Sequence, residues 1–326
     1  MLLLFAVALP GAGLFSGCAL LIPQSEEIRQ NRPADLPASA ELTEVPFFPQ
    51  KDYECGPAAL ATSLVYFGAP VTPDELVSQV YLPERKGSLQ VEMIASARRN
   101  GMVAYQLAPR FVDMLREVTA GFPVIVLVDF GVWPVSIWHY AVVVGYDMQT
   151  SDVILRSGEK KRLLMPYGVL EYLWKESNYW AIVTAPPGKI PATATEPLYL
   201  QAVVALEKTG KKGAAREAYA AMLVRWPESL GAGIGLANVH YALGDLKQAE
   251  SVLRRMVEKH PDQAVAYNNL AQTIFDQGRD AEALPLAERA VELGGPHVAA
   301  ARETLDAISR RLKARGSSAG ERKPGT

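Results

Sequence analysis

The first two thirds of the chain alternate between two kinds of apolar run. Pro123-Val124-Ile125-Val126-Leu127-Val128, Ile137 to Tyr146 and Asp152-Val153-Ile154-Leu155-Arg156 are short, continuous and rich in β-branched residues. Such runs read as buried strands. Ala58 to Phe67 differs: Leu60, Leu64 and Phe67 recur on one side, and Pro57 stands at a natural first helical position, so this run predicts a helix. Residues 45–186 therefore read as one α+β domain. Residues 187–197, dense in Pro, Thr and Gly, read as a linker, and beyond them strand signals vanish.

The last third repeats itself. Gly210, Gly244 and Gly278 are 34 residues apart, as are Ala215, Ala249 and Ala283, and Met222, Met256 and Ala290. Pro227 and Pro261 keep the same step, and Tyr199, Gly233 and Tyr267 share a first-helix position. A 34-residue period with small residues where helices cross resembles tetratricopeptide repeats. The resemblance implies an all-α solenoid of three helical hairpins over 198–313, closed by a capping helix from about His297 to Arg315, with 314–326 as a flexible tail. It also implies a groove for a protein partner. Gly231-Ala232-Gly233-Ile234-Gly235 lies inside this array with Leu236 at the sixth place and no preceding strand, so it reads as helix packing and not as a phosphate loop.

No charge precedes Glu26, and Leu2 to Leu9 form a short apolar run followed by Pro10, Gly11 and Gly13. This pattern reads as a signal peptide over 1–17. Leu14-Phe15-Ser16-Gly17-Cys18 resembles the lipobox of bacterial lipoproteins, which implies cleavage before Cys18, lipidation of that cysteine and a membrane partner through the lipid. Ala19 after the cysteine implies outer-membrane sorting, with the rest facing the periplasm. The alternative is an uncleaved anchor from Leu2 to Ile22. Residues 18–44, with Pro and scattered charge, read as an irregular tether.

Composition sharpens this. The 33 basic residues balance 35 acidic ones, so nothing makes nucleic acid an expected partner. With two cysteines in all, Cys18 and Cys55, a disulfide framework or thiolate zinc site is excluded, and no cofactor is expected. If Cys18 carries lipid, Cys55 is a lone thiol in an oxidising compartment and is suspect as reactive.

Cys55 sits at the start of the predicted helix, where amide donors and the helix dipole favour thiolate and are expected to lower its pKa. A thiolate nucleophile needs a base. Of the four histidines, His240, His260 and His297 fall in the repeats, which leaves His139, at the start of a Val-rich strand. A buried inert cysteine and a core histidine remain the bland readings of each residue alone.

Together they say more. Gln50…Cys55-Gly56-Pro57-Ala58-Ala59-Leu60, then Ala95 to Val103, then Pro123-Val124-Ile125, then His139-Tyr140-Ala141-Val142-Val143 resembles the bacteriocin-processing, papain-like cysteine peptidases that trim double-glycine leaders. The resemblance implies a papain-like fold over 45–186 acting on a peptide or protein substrate. Cys55 would be the nucleophile, His139 its base and Gln50 an oxyanion donor. It also places Ser157-Gly158 where the family carries an orienting Asp followed by Pro. Ser157 or Asp152 is then the candidate orienting residue. The readings that follow are an envelope-anchored cysteine peptidase, a catalytically weak or inactive peptide-binding adaptor of the same fold, and acyl transfer or amide hydrolysis on a non-peptide substrate.

Overall fold

The computed structural model describes residues 22–50, 54–132 and 134–320; the expected signal peptide, Cys18 and the last six residues of the expected tail lie outside the described residues. The chain divides into two compact units, the first holding most residues up to Ala185 and also 191–193, the second holding Ala194 onward.

The first unit opens with helix α1 (Pro23–Gln30) and strand β1 (Ser39–Glu41). The expected irregular tether is thereby corrected. Buried Ser25 and Ile28 face inward from α1, and β1 pairs antiparallel with the strand that carries His139. The missing signal has a simple cause. α1 shows two buried positions in eight, too few for a period to register. Helix α2 (Cys55–Tyr66) follows, buried continuously from Gly56 to Leu64. Next come α3 (Pro73–Val80), the small hairpin β2 (Tyr81–Leu82) and β3 (Gly87–Ser88), α4 (Gln90–Arg99), β4 (Val103–Gln106) and α5 (Phe111–Thr119).

Five longer strands complete the unit: β5 (Val124–Asp129), β6 (Trp138–Asp147), β7 (Asp152–Ser157), β8 (Lys160–Pro166) and, after α6 (Tyr167–Trp174), β9 (Ala181–Ala185). They form a sheet in the order β4-β9-β5-β6-β7-β8, with β1 added beside β6. All three apolar runs singled out in the sequence are central strands. β6 is buried from Tyr140 to Tyr146; at its start Trp138 is exposed and His139 half-buried, and Asp147 is half-buried at its end. α2 packs across β6, so the amino end of an apolar helix meets the emerging end of an apolar strand.

From Glu196 to Gly320 the second unit is built of helices. The hairpins are α7 (Glu196–Glu207) with α8 (Lys212–Arg225), α9 (Leu230–Ala242) with α10 (Leu246–Lys259), and α11 (Ala264–Asp276) with α12 (Asp280–Leu293). Gly210, Gly244 and Gly278 each take φ near +80° in the turn inside a hairpin, which explains why a residue without Cβ recurs at this spacing. The phased Ala215, Ala249 and Ala283 are fully buried, as helix crossing requires. The final helix α13 (Val298–Gly320) runs past residue 314, where a tail was expected.

Candidate active site

A cleft of about 930 Å³ opens in the first unit, and Gln50, Cys55 and His139 all line it. Each arrives there by a local cause. Cys55 is the first residue of α2, whose Glu54 cap makes no side-chain bond. Gly56 lets the helix start come in close, since a Cβ there would stand 2.2 Å from Ser88 Oγ. His139 stands opposite Val128 in the β5–β6 register, where β6 leaves the core. Gln50 is held beside the β7–β8 turn by its amide, which donates to the Gly158 carbonyl at 3.2 Å.

The sulfur and the ring converge on one stretch of β6. Hydrogen-bond donation to Cys55 comes from the backbone N–H of Tyr140, the residue after His139, and from the amides of Gly56 and Cys55 itself. Gln50 Nε2 lies 3.5 Å from the Tyr140 carbonyl oxygen, a long contact that leaves the amide free to find a better acceptor. Tyr140 also donates its hydroxyl to the Ser88 carbonyl at 3.2 Å, tying β6 to the β2–β3 hairpin.

His139 Nε2 lies 2.9 Å from Ser157 Oγ. With the proton on Nε2 and donated to Ser157, the basic electron pair sits on Nδ1. Ser157 reaches the ring because β7 runs antiparallel to β6 with Arg156 opposite Val142, which returns the end of β7 toward the start of β6. Asp152, the other candidate for orienting the ring, is placed elsewhere. It pairs with Asp147 at the opposite end of β6, eight residues from His139 and so about 25 Å away at the rise of a strand. Period-two sequence reasoning cannot see which end of a strand a neighbour reaches; the hairpin register decides it.

The electrostatics correct one expectation. Burial pushes the Cys55 thiol above its ordinary range, and the three amide donors that favour thiolate offset this only in part. Burial likewise lowers His139, to about 4, and among the described residues no carboxylate offsets it. The helix start does act in the expected direction, but desolvation is the larger effect. Both groups therefore rest neutral near pH 7.

Several residues of this site carry no motif. Phe130 packs against the His139 ring, 5.4 Å between centroids. Asp129 Oδ1 accepts from the amides of Gly131 and Ile137 at 2.8 and 2.7 Å, closing the base of the β5–β6 loop that delivers Trp138 and His139. The only sequence hint was Asp129-Phe130-Gly131, a turn-forming acid at a strand end. Arg85 and Lys86 from the β2–β3 turn, together with Glu159 and Glu176, give the cleft both signs of charge.

Residues 42–178 match the Peptidase_C39 like family, and residues 234–298 match a tetratricopeptide repeat family. No curated protein sequence matches the chain. Among solved structures, a putative C39-like peptidase from Bacillus anthracis is 20% identical, with 47% of this chain and 98% of that one covered and a TM-score of 0.39. A double glycine motif protease from an AMS/PCAT transporter, in complex with the leader peptide, is 20% identical over 43% of this chain and 89% of that one, with a TM-score of 0.33. The Yersinia enterocolitica type III secretion chaperone SycD, in complex with a peptide of the translocator YopD, is 18% identical over 37% of this chain and 98% of that one, with a TM-score of 0.34. Residues 42–178 are thus a peptidase C39-like domain, and tetratricopeptide repeats follow it.

Proposed function

We propose that the protein is a cysteine peptidase anchored at the bacterial envelope through Cys18, with the repeats recruiting a protein substrate or partner. One observation carries the catalytic part. The thiol of Cys55 and the imidazole of His139 line a single cleft, and the sulfur sits at the amide next to the histidine. In this reading His139 Nδ1 takes the Cys55 proton as the sulfur attacks a peptide carbonyl. The imidazolium then gives that proton to the leaving amine, which departs and leaves an acyl-enzyme. A water molecule, deprotonated by His139, hydrolyses the thioester and restores the thiol. Gln50, released from its long contact to Tyr140, serves the developing oxyanion, a role worth about 3–4 kcal/mol per donor in other acyl-transfer enzymes.

A second reading is favoured by the neutral Ser157 at Nε2. With no carboxylate among the described residues to stabilise imidazolium, the domain is an adaptor that binds peptides without turning them over. One experiment separates the two. The full chain and its Cys55→Ala and His139→Ala variants are incubated with a mixture of unstructured peptides, and products and retained peptides are read by mass spectrometry. The peptidase reading expects cleavage by the unaltered chain alone. Peptides retained intact by all three proteins would leave only the adaptor.

A further inference from the structure

The chain is fastened to the first unit from its earliest described residues. The amides of Gln24 and Ser25 donate to the carboxylate of Glu171 at 2.9 and 2.6 Å. Glu171 is fully buried on α6 and so caps the start of α1. Gln24 Oε1 accepts from the Phe111 amide at 2.6 Å, and Ile22 packs on Gly168 so closely that a Cβ there would stand 2.6 Å from Ile22 Cδ1. Upstream of this fastening the chain carries no charge at all. Three residues separate Cys18 from Ile22, which is four Cα steps and at most about 15 Å.

The helix against which Ile22 packs presents an unpartnered apolar face on the same turns. Val169 and Tyr172 are 46% and 48% exposed. Tyr172 stands four residues after Gly168 and three after Val169, so it shares a side of α6 with each of them. Lys175 lies with its ammonium 4.3 Å over the Tyr172 ring. An aliphatic side chain, a tyrosine and a lysine with a long apolar stem are the residues that favour a lipid–water interface.

We infer that the corner formed by Ile22 and α6 rests on the lipid bilayer surface, with Val169 and Tyr172 among the headgroups. The inference rests on the membrane anchoring proposed above. It gives that anchoring a geometry: attachment at Cys18 leaves the domain too little slack to swing free. It also narrows the substrate. Glu176, Ser177 and Asn178 of the cleft follow Lys175 directly, so the cleft opens close to the membrane plane and suits chains lying along that surface.

The test uses the full chain carrying Cys55→Ser and Tyr172→Cys, with a bimane label at position 172. It is reconstituted into phosphatidylethanolamine–phosphatidylglycerol vesicles with or without brominated acyl chains. A second protein carries the label through Val169→Cys, and a third through Val91→Cys, a position 64% exposed on α4 of the same unit. Flotation with the vesicles reports attachment independently. The expected result is flotation of all three, with bromine quenching at 169 and 172 roughly twofold or more above that at 91. Flotation with equal quenching at the three sites overturns the resting face and leaves anchoring intact. Failure to float overturns both.

Discussion

Replacing Ser157 by Asp tests the electrostatic account of the site directly. The hydroxyl of Ser157 touches His139 Nε2 at 2.9 Å and is 7% exposed. An aspartate there sets a negative charge against a ring that burial alone now holds at about 4. A carboxylate within about 4–6 Å raises a partner's pKa by roughly 1–3 units, each worth about 1.4 kcal/mol. His139 is therefore expected to titrate between about 5 and about 7, with the imidazolium stabilised by about 1.4–4 kcal/mol. The imidazole carbon–proton resonances read this by NMR, with His139→Gln identifying the signal among the four histidines. Ser157→Asn is the control: it matches aspartate in shape without the charge, and its ring should stay near 4. Peptide cleavage at pH 7 should rise in Ser157→Asp and not in Ser157→Asn. A folded Ser157→Asp protein whose His139 titrates where the unaltered ring does would refute the placement of residue 157 at Nε2.

Three further outcomes follow from other parts of the structure. The folded His139 titrates at about 4 against an ordinary 6.5. The unfolded chain thus binds the extra proton first, and stability present above pH 6.5 is lost as pH falls toward 4, by about 3 kcal/mol in all. Denaturant melts across that window should show a slope that His139→Gln removes; an identical slope in both proteins would contradict the burial of the ring. Gly56→Ala drives a methyl group into Ser88 Oγ, 2.2 Å from the added carbon. It is expected to cost about 1–3 kcal/mol and to slow Cys55 alkylation or any cleavage more than Gly68→Ala does. In the repeats, Asp280 is buried and ion-pairs with Arg311 and Arg315 of α13, the latter at 2.9 Å. Both arginines are partly exposed, so Asp280→Asn should cost about 1–2 kcal/mol. Faster hydrogen exchange confined to α13 is the expected signature, and unchanged exchange there would refute the pairing.

Much of the architecture could be read before any coordinates. The strands around Ile125, Val143 and Ile154 were visible because strands buried on both faces carry no polar interruption. The repeats were visible because a phased alanine at each helix crossing and a glycine at each turn have no cheap substitutes. α1 was invisible for the opposite reason. It is held by backbone amides on Glu171, and a capping carboxylate 146 residues away leaves no local trace. Of the site, Cys55, His139 and Gln50 stood out by residue type and order, and the structure sets all three on one cleft. Tyr140 did not stand out, since its contribution to Cys55 and Gln50 comes through backbone atoms that any residue would supply. The sign of the Cys55 shift was illegible for a related reason. A helix start is local and can be read, whereas the desolvation that outweighs it is the sum of everything packed around α2.

The neutral resting pair and the serine beside the ring belong to one physical argument. A buried imidazolium needs a compensating charge, and Ser157 offers a dipole only. The charge that is missing at Nε2 must then be supplied on the other side, by the thiolate or by the oxyanion that replaces it. Proton transfer from Cys55 to His139 is consequently unfavourable in the empty cleft and becomes favourable only when a carbonyl is positioned to receive the sulfur, because the negative charge then passes to an oxygen met by amide donors. This arrangement protects a lone thiol against alkylation and oxidation, both of which require thiolate. It also demands accurate placement of the substrate before any chemistry begins. Cys55 should accordingly alkylate more slowly than a free cysteine at pH 7 and accelerate when a peptide occupies the cleft. Rapid alkylation of the empty protein would mean that the ion pair forms without substrate, and that burial does not govern this site.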